Sequence, residues 1–303
     1  MEGGTPSLPC EEGYYHFATC CVAIVRGCEG QAVNNMTYWI QPVQFSGGTT
    51  CRLLVPKLSQ EICFIRLDLR TFQLASPSDG RCDRDYLQVS GQNINAKVPT
   101  LCGFNSGQHL YVGVGRVPGP LELAVTTRGE EPRRRWEIEV TQVECGGERA
   151  PPDGCLQYYT SPQGFFASFN YLPTGASQYL NNLNYAVCLA RATAFCSVTY
   201  SAGSKTADNT FQMVNFSVRN GTLIPTVAAG EAGVGVVACR GDYVVMAGTR
   251  LCGGRLNDGS QEPRISNNGP VIESTNGPFL VQVRTDAQYT GRGFNLSYAQ
   301  NPC

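Results

Sequence analysis

Apolar and polar residues alternate with a period of two in many short runs along this chain. In His109–Val114 the alternation places Leu110, Val112 and Val114 on one face and His109 on the other. In Trp136–Val140 it turns Trp136, Ile138 and Val140 inward and Glu137 and Glu139 outward. Phe211–Val218 reads as burying Val214, Phe216 and Val218, with Asn215 facing solvent, and Phe294–Tyr298 as burying Phe294, Leu296 and Tyr298, with Asn295 outward. Successive side chains of a strand point to opposite faces, so these runs predict half-buried antiparallel strands. Turn signals separate them: Gly47-Gly48, Asp79-Gly80, Asn220-Gly221 and Asn276-Gly277-Pro278. The best helical stretch, Gln178–Leu189, is rich in Asn, a poor helix former. Many short strands between regular turns predict an all-β chain of sandwiches.

A chain of 303 residues suggests about two domains at roughly 100–200 residues each. Glu144–Gly154, charged and rich in Pro and Gly, reads as the linker. The two sides of it repeat each other. The first half runs Cys51-Arg-Leu-Leu-Val, Cys63-Phe-Ile-Arg-Leu, Cys82-Asp-Arg-Asp-Tyr86, Leu101-Cys102-Gly103 and a late strand ending at Cys145. The second runs Cys188-Leu-Ala-Arg, Cys196-Ser-Val-Thr-Tyr, Cys239-Arg-Gly-Asp-Tyr243, Leu251-Cys252-Gly253 and a late strand ending at Cys303.

Fifteen cysteines, with no C-x-x-C pair among them, exclude zinc ribbons and redox motifs and point to a disulfide framework in an oxidising, extracellular setting. The odd number leaves at least one thiol unpaired or paired outside the chain. Asn-x-Ser/Thr sequons at Asn35, Asn215, Asn220 and Asn295 mark candidate glycosylation sites. A net charge of −1 offers no electrostatic footprint for nucleic acid. No apolar stretch reaches the length of a transmembrane helix, and Met1–Cys10 lacks the basic and apolar regions of a signal peptide.

The pattern Cys-x-x-Asp-Tyr, then Cys-Gly, then a terminal Gly-Phe-x-Leu-x-Tyr strand resembles the CUB domain. Cys239–Val244, Leu251–Gly253 and Gly293–Tyr298 carry the resemblance best. The first half, with Cys102–Tyr111 and the lead-in Cys20-Cys21-Val22, resembles secreted tandem-CUB proteins of arthropods. The resemblance implies two consecutive jelly-roll β-sandwich domains behind a short Cys-rich segment. The divisions are 1–27 for that segment, 28–145 for the first domain, 146–154 for the linker and 155–303 for the second domain. It also implies bridges Cys28–Cys51, Cys82–Cys102, Cys155–Cys188 and Cys239–Cys252. The repeat extends these to Cys63–Cys145 and Cys196–Cys303, with Cys63 and Cys196 facing the core beside Ile65 and Val198. Cys10, Cys20 and Cys21 remain, with one of the adjacent pair expected to bridge to Cys10 and the other free or bonded to another chain.

Many CUB domains hold one calcium ion through a Glu near the end of an early strand, the Asp of Cys-x-x-Asp and an Asp before the last strand. Here only Asp85 matches in the first half, where Ala75 stands near the Glu position, so the candidate calcium residues are Asp242 and Asp286 in the second. Calcium takes six to eight oxygens, so two carboxylates make a poor site, and no cofactor is expected. The alternative for Asp85 and Asp242 is a structural role, accepting backbone N–H groups at a turn. Arg240-Gly241-Asp242 spells an adhesive tripeptide, but its Asp is the domain's own structural residue. Arg133-Arg134-Arg135 reads as a solvated strand entry with local ion pairs, or else as a docking patch for an acidic partner or sulfated glycan. His16 and His109 are the only histidines, and no nucleophile elbow or serine-protease motif is present.

The expectation is a secreted, non-catalytic binding or assembly protein recognising an extracellular protein or glycan. An unpaired N-terminal cysteine would allow homo-oligomers. The alternative is the regulatory portion of a secreted CUB-containing protease.

Overall fold

The computed structural model describes residues 5–9, 19–43, 45, 47–115, 117, 119–131, 133–175, 177–206 and 210–303, with side chains from residue 22 onward. Strands dominate, and among the described residues helix is confined to the single turn Gly235–Ala238. The Asn-rich stretch after Gln178 is irregular until Asn184. There Asn184–Leu189 becomes a strand paired with Phe279–Arg284, because Tyr185, Val187 and Leu189 have a sheet interior to fill.

The chain forms two compact units, Met1–Ala75 with Arg84–Ala150, and Pro151–Cys303 with Ser76–Asp83. In the first, a six-stranded sheet runs in the order Thr5–Pro9, Thr19–Arg26, Thr37–Ile40, Arg135–Glu144, Ile62–Gln73 and His109–Gly113. A four-stranded sheet runs Glu29–Gln31, Thr50–Val55, Leu121–Thr126 and Tyr86–Ser90. Trp39, Trp136, Phe72, Leu53, Ile65 and Leu67 are fully buried in its core, and the two indoles meet edge to face at 5.8 Å. The Cys-rich lead-in is not a separate segment ending at residue 27. Thr19–Arg26 pairs in parallel with Thr37–Ile40 and extends the larger sheet.

In the second unit a six-stranded sheet runs Cys155–Tyr159, Asn184–Leu189, Phe279–Arg284, Tyr243–Met246, Thr249–Gly253 and Ala232–Val234. The other sheet runs Gln163–Ala167, Gly293–Pro302, Phe195–Ser201 and Val271–Ser274, with Phe211–Gln212 also paired to Gly293–Pro302. Tyr179, Tyr200, Phe169, Phe211, Phe279 and Phe294 fill its core. Phe216–Arg219 and Thr222–Pro225 form a separate two-stranded hairpin. Its turn, Asn220-Gly221, has φ of 51° and 76°, the left-handed pair that a tight hairpin turn demands.

Several faces differ from the sequence pattern. Between residues 211 and 218 it is Phe211, Met213 and Asn215 that are buried, while Val218 is 72% exposed. Strand Phe211–Gln212 is followed by a buried bridge from Met213 to Gly253 and then by the hairpin strand Phe216–Arg219, so the run is not one strand but two with a break between them. His109 and Tyr111 are buried as well as Leu110 and Val112, because Arg66 covers that face: its Nη1 donates to Tyr111 Oη at 2.9 Å. Glu139 is buried too and accepts from Arg70 Nε at 2.7 Å. Cys63 is half-buried and Cys196 exposed rather than core-facing, since each stands at the start of its strand, where the strand clears the core.

Disulfides join Cys28 to Cys51, Cys63 to Cys145, Cys155 to Cys188, Cys196 to Cys303 and Cys239 to Cys252. Cys82 and Cys102 are disulfide-bonded as well. The bridges at Cys145 and Cys303 pin the last strand of each unit to an inner strand at its far end. Cys10 and the side chains of Cys20 and Cys21 lie outside the described residues.

Candidate functional site

The repeated Cys-x-x-Asp-Tyr step places one aspartate at the same point of each sandwich, just before the strands that open with Tyr86 and Tyr243. Both Asp85 and Asp242 are 1% exposed. A buried carboxylate must be hydrogen-bonded and, if ionised, paired with a cation. The two units meet that demand with different groups.

In the first unit the loop between Leu121–Thr126 and Arg135–Glu144 folds back over Asp85. Arg134 points inward and grips the carboxylate with both arms of its fork, Nε to Oδ2 at 2.7 Å and Nη2 to Oδ1 at 2.8 Å. The backbone N–H of Ala75 donates to Oδ2 and that of Arg128 to Oδ1, each at 3.0 Å. Arg134 Nη2 also donates to the Gly129 carbonyl, and the guanidinium lies over the Phe45 ring, 5.9 Å from its centroid. Burial works to raise the Asp85 carboxyl. The Arg134 hydrogen bonds, the two N–H donors and the guanidinium charge outweigh it and hold the group below its ordinary range.

In the second unit no cation among the described residues touches Asp242. Tyr179 Oη donates to Oδ2 at 2.5 Å, and the Asp286 N–H donates to Oδ1 at 2.7 Å. Burial pushes the Asp242 carboxyl up to about 7 despite these two bonds, and the nearby Asp286 charge pushes the same way. Burial, then the Asp242 charge, drives the Tyr179 hydroxyl well up, so it stays a donor. Asn215 clamps the backbone beneath. Its Oδ1 accepts from the N–H groups of Gly241 and Asp242, and its Nδ2 donates to the Asp242 carbonyl at 2.6 Å.

Asp286, the second candidate calcium residue, is exposed, and its Oδ1 accepts from the Gln288 N–H. Asp242 and Asp286 are thus neighbours, but they supply two carboxylates where calcium takes six to eight oxygens. Among the described residues no three His, Cys, Asp or Glu side chains converge on a point that could hold a metal. The residues present do not fit a calcium cage.

The remaining candidates fall in scattered places. Asn35, Asn220 and Asn295 are exposed, and Asn220 stands at the tip of the hairpin. Asn215 is buried and its amide nitrogen is engaged, so the outward orientation read from the sequence does not hold. The aspartate of Arg240-Gly241-Asp242 is internal, which leaves no exposed carboxylate in the tripeptide. His109 is buried with its ring edge-on to Tyr111 at 5.6 Å. Of the three consecutive arginines, Arg133 and Arg135 are exposed, and Arg134 is the core's counter-ion rather than part of a solvated run. His16 lies outside the described residues.

Tyr179 is a residue that the sequence pattern does not single out, and Arg134 is one whose role it assigns to the surface. The signal was indirect: a Cys-x-x-Asp aspartate that is buried requires a donor, which comes from the loop before the last strand in the first unit and from the stretch between Gln163–Ala167 and Asn184–Leu189 in the second.

A sequence profile of the animal CUB domain matches residues 152–301. The second unit is therefore an animal CUB domain, and the chain is a CUB-domain-containing protein. Among curated proteins none matches. Similar solved structures include the CUB1-EGF-CUB2 domains of rat MASP-1, with 13% identity over 91% of this chain and 99% of that one and a TM-score of 0.30. The CUB1-EGF-CUB2 domain of human MASP-1/3 gives 13% identity over 88% and 100%, with a TM-score of 0.28. The full extracellular region of zebrafish Gpr126/Adgrg6 gives 11% identity and a TM-score of 0.32, over 90% of this chain and 33% of that one. Among the described residues no helix is long and apolar enough to cross a membrane.

Proposed function

We propose that this chain is a secreted, non-catalytic binding or assembly protein whose sandwiches serve extracellular recognition. The observation that carries the reading is where the titratable groups are spent. Asp85 and Asp242 are buried and held by internal donors, and His109 is buried against Tyr111. A catalytic acid, base or nucleophile needs reach to a substrate, and these groups are turned into the fold instead. The second unit also presents several aliphatic side chains to solvent. Val218 of the hairpin and Val236 and Val237 of the adjacent turn are 72%, 63% and 73% exposed. The Thr226 hydroxyl ties hairpin to turn through the Ala238 carbonyl. Exposed aliphatic side chains grouped in this way suit a protein partner better than a glycan. Disulfides through both units agree with an extracellular setting. No cofactor is needed for such a role.

The test is a screen of the purified chain against arrays of extracellular proteins and of glycans, beside a panel of hydrolase substrates. The expected outcome is saturable binding to a protein, weakened by Val218→Asp, and no turnover. Turnover by the pure protein that His109→Ala abolishes would overturn the reading.

A further inference from the structure

The donors on Asp85 leave that carboxylate no spare capacity. A carboxylate offers about four lone-pair sites. Ala75 N and Arg134 Nε take those of Oδ2, and Arg128 N and Arg134 Nη2 take those of Oδ1. The cation is as enclosed as the anion, with the Arg134 and Asp85 side chains 3% and 0% exposed. Backbone packs close around it. A Cβ on Gly47 would lie 1.8 Å from the Gly129 carbonyl oxygen and 2.8 Å from Arg134 Nη1, so only glycine lets the loop close over the guanidinium.

We infer that Arg134 is a built-in cation for the first unit. It holds the seat on Asp85 that a divalent ion would have to take, so the loop Thr127–Arg134 closes without metal and keeps its shape in chelator. An ion entering here would have to displace two charge-assisted hydrogen bonds and leave a buried guanidinium unpaired, the costly half of a broken ion pair. The second unit differs in kind, since Asp242 carries two donors and no cation. Any recognition that uses the loop end of the first unit is therefore insensitive to calcium.

The experiment uses the full chain and calcium itself, with terbium as a luminescent substitute. Thermal melts are recorded in EDTA and in saturating calcium, on wild type, Asp85→Asn and Asp242→Asn. The transition that Asp85→Asn displaces belongs to the first unit. It is expected to move by less than about 2 °C between EDTA and calcium, whereas an ion bound at saturation raises a transition by several degrees. Terbium emission, whatever its level in wild type, is expected to be unchanged by Asp85→Asn. Calcium raising the first transition, or emission that Asp85→Asn abolishes and Asp242→Asn preserves, overturns the inference. Should Asp85→Asn fail to fold, Arg134→Met combined with Asp85→Asn removes both charges together and serves as the second variant. Terbium binding that this double variant abolishes would contradict the inference equally.

Discussion

Asp85 and Asp242 occupy the same step of a repeated sequence and are buried to the same degree, yet one faces a guanidinium and the other a phenol. The difference shows that a sandwich can hold a buried carboxylate in two chemically distinct ways. A cation keeps the charge in place and lowers the pKa. A neutral hydroxyl supplies a hydrogen bond but no charge, so burial wins and the carboxyl rises to about 7. The two units consequently lean in opposite directions with pH. The Asp85 carboxyl sits below its ordinary range, so its contribution is present at neutral pH and is lost as pH falls through the folded value. The Asp242 carboxyl sits above its ordinary 3.8, so its contribution is complete below 3.8 and is lost as pH rises through about 7.

The largest expected effect comes from breaking the cationic member of the pair. Asp85→Asn leaves Arg134 buried without a counter-charge and is expected to cost about 3–5 kcal/mol in denaturant unfolding of the first unit. Adding Arg134→Met should recover much of that loss, because removing both charges spares the orphan. A double variant no more stable than Asp85→Asn would mean that the two residues act independently.

In the second unit Asn215→Ala should cost about 2–3 kcal/mol, since it strands the Gly241 and Asp242 N–H groups and the Asp242 carbonyl. The same burial forbids a glycan there. Intact mass of secreted material is expected to show glycans mapping to Asn35, Asn220 or Asn295 and an unmodified Asn215. An occupied Asn215 would contradict the clamp.

Tyr179→Phe removes the donor to Asp242 and the acceptor for the Val214 N–H, which sits 3.2 Å from Oη. A loss of about 1–2 kcal/mol is expected, greater at pH 8 than at pH 5 because the ionised carboxylate needs the donor most. The smallest effect belongs to Asp242→Asn. The amide keeps an acceptor for the Asp286 N–H and carries no charge to bury, so stability should stay within about 1 kcal/mol of wild type at pH 5. The decline that Asp242 imposes between its ordinary 3.8 and about 7 should flatten. A variant that retains the full wild-type decline would place its origin elsewhere.

Much of this fold was readable from alternation and repetition. Trp136, Ile138 and Val140 face inward as their spacing requires, and the recurring Cys-x-x-Asp-Tyr step located both buried aspartates. The pattern failed where the chain left the sheet. At Phe211–Val218 the odd-numbered positions up to Asn215 face inward, and the chain then runs out into the hairpin, which reversed Asn215 and Val218. It failed also where a polar side chain from a neighbouring strand covered a face, as Arg66 does over Tyr111. The partners of the aspartates were the least legible, because composition around each one misleads. Arg134 sits in a basic run that looks solvated, and Tyr179 sits in an Asn-rich stretch that looks like a poor helix. Only the folded chain brings residues 49 and 63 positions apart onto their aspartates.

The central contrast is a statement about two protons, and carboxyl carbon chemical shifts of selectively labelled aspartate, followed from pH 2 to 9 by NMR, read both at once. The account predicts that Asp85 titrates below the ordinary aspartate range, while Asp242 titrates with a midpoint of about 7. Equal midpoints for the two residues near the ordinary 3.8, or Asp242 titrating below Asp85, would contradict it.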